Sequence, residues 1–199
     1  VAVGLVGPNG DDVIETQILD LKEKKQSFTF ENIGAKPVPS ILRNFSAPVK
    51  LTTDLSEGDL AFLMVHDSDG FNRWEAGQNY ALRVINKMLK DGTNDVPDAY
   101  IESFGKLLAR AADPSSDRSL MALALSLPDV ALIAQQQEMV DPTAIDKALS
   151  ALKKALKSAH KAEMKKIYEL CAGCESFSVT PAAMGRRALR NTLLGYLTA

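Results

Sequence analysis

Near Lys50 the spacing of the apolar residues changes, and this change restricts the fold more than any other feature of the chain. Before it they recur at every second position, the period of a half-buried strand. Val1 to Val6 is a short apolar run, followed by the turn chemistry of Gly7-Pro8-Asn9-Gly10. Val13 to Leu21 places Ile14, Thr16 and Ile18 on one face and Glu15 and Gln17 on the other. Gln26 to Glu31 alternates in the same way, with Phe28 and Phe30 on one side. Ile41 to Phe45 reads as a last strand, the segment 32–40 as the one loose stretch, and Pro48 as the edge or end of the sheet.

Beyond Lys50 the apolar spacing becomes helical and Asp, Ser and Pro punctuate it. Ser56 reads as an N-cap ahead of Leu60, Leu63 and Met64. Asp69 caps a helix carrying Phe71, Trp74, Ala81, Leu82, Ile85 and Leu89, which Asp91-Gly92 stops. Pro97 opens the next, with Ile101, Phe104, Leu107 and Leu108. Asp113-Pro114, Asp141-Pro142 and Thr180-Pro181 each open one more. The fold class expected is α+β by segments. A short antiparallel β piece, part of an Ig-like β-sandwich, spans 1–50, and the first part of an all-α, stacked-helix domain spans 51–199.

Composition removes whole classes of function. With 46 % apolar and 24 % charged residues the 199-residue chain is neither disordered nor polytopic, and no uncharged stretch reaches the roughly 20 residues of a membrane span. Lys and Arg number 23 against 25 Asp and Glu, a net charge of −2 that excludes a general nucleic-acid binder. Two cysteines make no disulfide framework, and the first residues lack the charged-then-apolar order of a signal peptide. A cytoplasmic location is the expectation. Val1, Val3 and Leu5 alternate from the first position, and Leu193, Leu194, Tyr196 and Leu197 are apolar up to the last. The expectation is therefore a segment of a longer protein. Its β piece, with Val1, Val3, Phe28 and Phe30 on an uncovered face, is expected to self-associate or to be less protected than the helices.

Four groups of residues invite a chemical reading. Cys171-Ala172-Gly173-Cys174 has the spacing of half a zinc site or a redox pair. Only His66 and His160 are available to complete a ligand set, so the pair reads as a helix end with Gly173 as terminator. His66 ahead of Asp67, Ser68 and Asp69 reads as the end of one helix and the cap of the next. Lysines 147, 153, 154, 157, 161, 165 and 166 lie opposite Ile145, Leu149, Leu152, Leu156 and Ala159, a solvated basic face on a helix that loses register near Glu163. Arg186, Arg187 and Arg190 suit interhelical pairing or an anion. No phosphate loop, nucleophile elbow or paired catalytic carboxylates appear, and no catalytic, cofactor-binding or metal-binding residue is assigned.

Two stretches carry a resemblance. Val38-Pro39-Ser40-Ile41-Leu42-Arg43-Asn44-Phe45-Ser46-Ala47-Pro48-Val49-Lys50-Leu51 and His66-Asp67-Ser68-Asp69-Gly70-Phe71-Asn72-Arg73-Trp74-Glu75-Ala76-Gly77-Gln78 closely resemble the aminopeptidase N family of zinc metallopeptidases, in its bacterial and plant-type branch. Met184 to Leu197 resembles a helix further along the same proteins. The resemblance implies a parent with an N-terminal β domain, a thermolysin-like catalytic domain, a small β-sandwich and a large helical domain. This chain would be an interior piece spanning the last two.

The family's zinc motif H-E-x-x-H is absent: His66 precedes Asp67 and His160 precedes Lys161. Its G-A-M-E-N motif is absent too, Ala183-Met184-Gly185 not being one. The resemblance thus implies a non-catalytic structural segment with no cofactor of its own, zinc belonging to the parent's catalytic domain. The implied partners are the parent's other domains and, through them, its peptide substrates, without nucleic acid or membrane. Within the matched stretches Pro48 is expected to end the sheet, Asp69 to cap, Trp74 to be buried at the junction, and Arg73 to pair with Asp67 or Glu57. Two rival readings are a free-standing interaction module using the lysine face and a C-x-x-C metal or redox protein.

Overall fold

The apolar run at the start of the chain becomes β1 (Ala2–Val6), the middle strand of a sheet ordered β2-β1-β3. The computed structural model describes residues 1–172 and 177–199. They divide into two compact units, Val1–Gly77 and Gln78–Ala199.

In the first unit β2 (Asp12–Ile18) and β3 (Val38–Ile41) both pair antiparallel with β1, Val3 lying opposite Gln17 on one side and Ile41 on the other. Every residue of β1 is buried, which is why its sequence is an unbroken apolar run rather than an alternation. Pro39 is tolerated because β3 has a neighbour on one side only.

Two of the expected strands differ. Among the described residues, 26–31 join no ladder, and Phe28 and Phe30 are half-buried there. The preceding turn is held by polar side-chain bonds instead: the Lys22 amide donates to Gln26 Oε1 (2.9 Å) and Gln26 Nε2 to the Asp20 carbonyl (3.1 Å). Alternation makes a strand only where a neighbouring edge supplies a ladder. The last strand starts earlier than expected, at Val38 inside the supposed loose stretch, and stops at Ile41. Leu42, Asn44 and Phe45 then adopt left-handed backbone (φ 66°, 56° and 53°) around a 3₁₀ turn, Arg43–Phe45. The sheet is over well before Pro48.

Two helices start in this unit. Ser56 and Asp59 form a reciprocal capping box at α1 (Glu57–His66), as the Ser56 reading anticipated. Asp69 Oδ1 accepts the Phe71 and Asn72 amides (2.9 Å each) and so caps α2 (Gly70–Asp91), which ends at Gly92 with φ 65°.

The second unit contains the rest of α2, α3 (Asp98–Ala112), α4 (Arg118–Ala124), α5 (Val130–Ala134), α6 (Pro142–Leu170) and α7 (Pro181–Leu197). Asp113-Pro114 does not open α4. Asp113 Oδ1 accepts the Ser115 amide (2.8 Å) in a turn, and Asp117 caps the helix by accepting the Ser119 and Leu120 amides. The short α5, capped by Asp129, was not expected.

Helix α7 packs on α4 and α6, while α6 also packs on α3 and α5. Phe104, Leu107, Leu108, Leu152, Leu156, Leu189 and Leu193 are almost fully buried among them. The break in α6 falls at His160 (φ −127°, ψ 22°), not near Glu163. His160 Nε2–H donates to the Ile101 carbonyl on α3 (2.9 Å), and its ring occupies the space above Gly105, where a Cβ would approach Cε1 to 2.6 Å. A side chain bonded across to the next helix is a sufficient cause of the kink. Among the described residues no helix is long and apolar enough to cross a membrane.

Candidate functional site

The one buried concentration of charge in the first unit is built around Arg43, the only charged residue between Pro37 and Val49. The left-handed Leu42 turns the chain so that this side chain runs back over the sheet. It lies on Gly4 of β1, where any Cβ would overlap the guanidinium. All five N–H donors are used. Nε donates to Ser40 Oγ (2.8 Å); Nη1 donates to Asp12 Oδ2 (2.7 Å) and Thr16 Oγ1 (3.1 Å); Nη2 donates to Asp12 Oδ1 (2.7 Å) and Asp67 Oδ1 (3.2 Å). One side chain thereby joins β2, β3 and the turn between α1 and α2.

Its neighbours complete the network. Ser68 Oγ donates to Asp12 Oδ2 (2.7 Å), and Asn72 Nδ2 donates to Ser40 Oγ (2.8 Å) and the Ile41 carbonyl (3.0 Å). Asp69 Oδ2 accepts the Asn44 amide (2.9 Å) and so helps hold the left-handed turn. Arg73 Nη1 donates to the Asp67 carbonyl (2.9 Å). The expected Arg73–Asp67 pairing thus exists, but through the backbone oxygen and not the carboxylate.

The two carboxylates on Arg43 are affected in opposite directions. The bidentate bond from Arg43 holds Asp12 below the usual value of 3.8, against the effect of burial and with help from Ser68. Burial pushes Asp67 above 3.8, and the Ser40 hydroxyl, the Asp69 amide and Arg43 only partly oppose it. The asymmetry follows the geometry. Asp12 receives both prongs of the fork at 2.7 Å and is 28 % exposed, whereas Asp67 receives one at 3.2 Å and is fully buried.

These shifts fix a pH dependence. Asp12 contributes stability that is present above about 3.8 and is lost as pH falls through its lower folded pKa. Asp67 acts in reverse: ionising it weakens the folded state as pH rises from 3.8 through its raised folded pKa. Asp67→Asn should therefore gain on the wild type between pH 4 and neutrality, read as urea midpoints across that range. Parallel curves for the two proteins would show that Asp67 titrates as in the unfolded chain.

The other residues singled out by the sequence do not converge on this network. His66 ends α1 and stacks on Phe62 (4.7 Å between ring centroids). Trp74 is half-buried rather than buried, in a ladder with Phe71 (5.4 Å) and the exposed Phe45 (3.8 Å from Phe71). Cys171 is buried at the end of α6, and burial pushes its thiol up despite Arg118, Arg186 and Arg190 nearby. Gly173 and Cys174 lie outside the described residues. Arg187 donates to the Ser178 carbonyl and covers the Phe177 ring, and Arg190 covers Tyr168. A groove of about 750 Å³ between Asn86, Lys90, Gln137 and Asp141 is lined by amides already bonded to each other, Asn86 to Gln136 (2.8 Å) and Gln137 to Asn86 (2.7 Å).

Among the described residues no three of His, Cys, Asp and Glu are placed to hold a metal ion. Sequence reasoning named Asp67, Asp69 and Arg73 but missed Arg43 and Asp12 as the centre. The available signal was a lone arginine in an otherwise uncharged stretch.

Comparison with known proteins agrees with this architecture. Aminopeptidase N of Caulobacter vibrioides is 33 % identical over 200 residues, covering all of this chain and 23 % of its own length. Aminopeptidase N of Escherichia coli K12 is 32 % identical over 184 residues, covering 90 % of this chain and 21 % of its own. The crystal structure of Legionella pneumophila aminopeptidase A in complex with aspartic acid shares the fold, with a TM-score of 0.85 and 24 % identity over 98 % of this chain and 23 % of that one. The chain thus spans less than a quarter of the relatives it matches. Residues 1–54 match a domain of unknown function with an Ig-like fold, DUF3458, and residues 57–199 match its C-terminal companion, described as ARM repeats. With most of its length in that second match, to DUF3458_C, the chain belongs to the DUF3458_C family and is homologous to aminopeptidase N.

Proposed function

We propose that this chain is a non-catalytic, architectural segment of a zinc-dependent aminopeptidase that removes N-terminal residues from peptides. The supporting observation is the match to aminopeptidase N along the whole chain but only 23 % of the relative's length. The only dense polar cluster in its sheet unit is consistent with a structural role, because every Arg43 donor is occupied by the protein itself. In that reading the zinc, the general base and the substrate-amine site belong to another part of the longer protein, and the cytoplasm is its compartment.

The expected result is that the 199-residue chain, with zinc added, hydrolyses no aminoacyl anilide and retains less than one zinc per chain after dialysis. A longer product of the same reading frame, with H-E-x-x-H before residue 1, is expected to be active. Turnover or one tightly held zinc in the 199-residue chain would overturn the proposal, as would an upstream frame without that motif.

A further inference from the structure

Residues 27–31 have the side-chain alternation of a strand and none of its hydrogen bonds. Ser27, Thr29 and Glu31 are exposed while Phe28 and Phe30 are half-buried, a period of two. The backbone stays out of the left-handed region until Asn32 (φ 59°) ends the run. Among the described residues, no backbone N–H or C=O group of 27–31 bonds to the protein, and neither do the side chains of Ser27, Thr29 and Glu31. Such a row of free donors and acceptors is a template for another strand.

We infer that two copies of the chain associate by pairing this run with itself, antiparallel about Thr29. The free backbone groups require an extended partner, and the side chains select a second copy. In this register Phe28 faces Phe30 of the second copy, and Phe30 faces its Phe28. Thr29 meets Thr29, and each Ser27 meets a Glu31. Aromatic pairs and a threonine pair are cross-strand neighbours that stabilise a sheet, and no like charges stand opposite each other. Pivoting about Phe28 or Phe30 instead keeps one ring pair, not two. The free edge of β2 is less suited to this role. Its register on β1 shifts twice, which twists the strand, and Arg43 already holds its Asp12 and Thr16 side chains. A ladder this short buries little, so the dimer is weak, with a Kd on the order of 0.1 mM, as befits an interface well below about 1,200 Å².

The test uses the whole chain. Sedimentation equilibrium up to about 1 mM is expected to show monomer and dimer in exchange. Ser27→Lys sets a cation against Glu31 in two symmetry-related pairs and should tighten the dimer about fivefold, and Ser27→Glu should weaken it about fivefold. Thr29→Cys should be captured by air oxidation as a disulfide-linked dimer, because the two Cα atoms lie about 4.5–5.5 Å apart across the two-fold axis, within reach of the bond. Ser27→Cys should not be, because its copy lies four residues along the ladder, about 14 Å away. The wild type supplies the background from the native cysteines, of which Cys171 is buried. All these substitutions fall on exposed side chains that hold nothing else in place. Three results would overturn the inference: a monomer at about 1 mM, shifts of the same sign for Ser27→Lys and Ser27→Glu, or Thr29→Cys cross-linking no better than Ser27→Cys.

Discussion

Arg43→Ala is expected to destabilise the sheet unit by about 3–5 kcal/mol, the range for removing one partner from a buried ion pair. The substitution leaves Asp67 fully buried without its cation and frees Asp12, Ser40 and Thr16 from the group that joins them. Arg43→Lys should recover little of the loss. An ammonium has three donors on a point charge, whereas this site uses five donors in a planar fork. Denaturant midpoints for wild type and both variants check this. A lysine variant as stable as the wild type would show that charge alone, without the fork, holds the turn to the sheet.

Phe104→Ala should cost about as much in the helical unit, about 3–5 kcal/mol for a fully buried ring. Phe104 is 1 % exposed, edge-on to Tyr196 (5.3 Å) and beside His160 (6.4 Å), so its removal opens a cavity where α3, α6 and α7 meet. Trp74→Ala should cost less, about 1–2 kcal/mol, because half-burial removes less apolar area from water. Trp74 is the only tryptophan, so Trp74→Ala removes the fluorescence signal, and far-ultraviolet circular dichroism across a denaturant series reads both variants. A tryptophan variant less stable than the phenylalanine one would reverse the burial argument. The comparison is informative because sequence reading alone places both rings on the inward stripe of a helix.

Residues whose partners lie within a few positions behaved as their local chemistry predicts. Ser56, Asp69 and Asp141 cap helices as expected, because an N-cap bonds amides two or three residues ahead. Asp113 shows the limit of that rule. It accepts an amide two residues ahead just as Asp117 does, and the helix begins only after Asp117, where α4 packs against α7. The break in α6 also sits three residues from its expected place. His160, where it falls, bonds a carbonyl 59 positions earlier, a contact that leaves no mark on the local apolar stripe.

The charged network divides in the same way. Asp67, Ser68 and Asp69 were recognisable as a helix-to-helix turn because their roles are local. The resemblance to aminopeptidase N was also legible, since it rests on the order of residues and not on contacts. That Arg43 runs over Gly4 to meet Asp12, 31 residues away, was not legible. The sequence by itself determined most of the element types, most of the caps and the family, all of which depend on propensities and spacings within a turn or two of the chain. Only the tertiary structure decided which apolar alternation became a strand, where α6 bends and which arginine is buried. Each of those outcomes is set by a partner tens of residues away, and local preference is indifferent to where packing will put that partner.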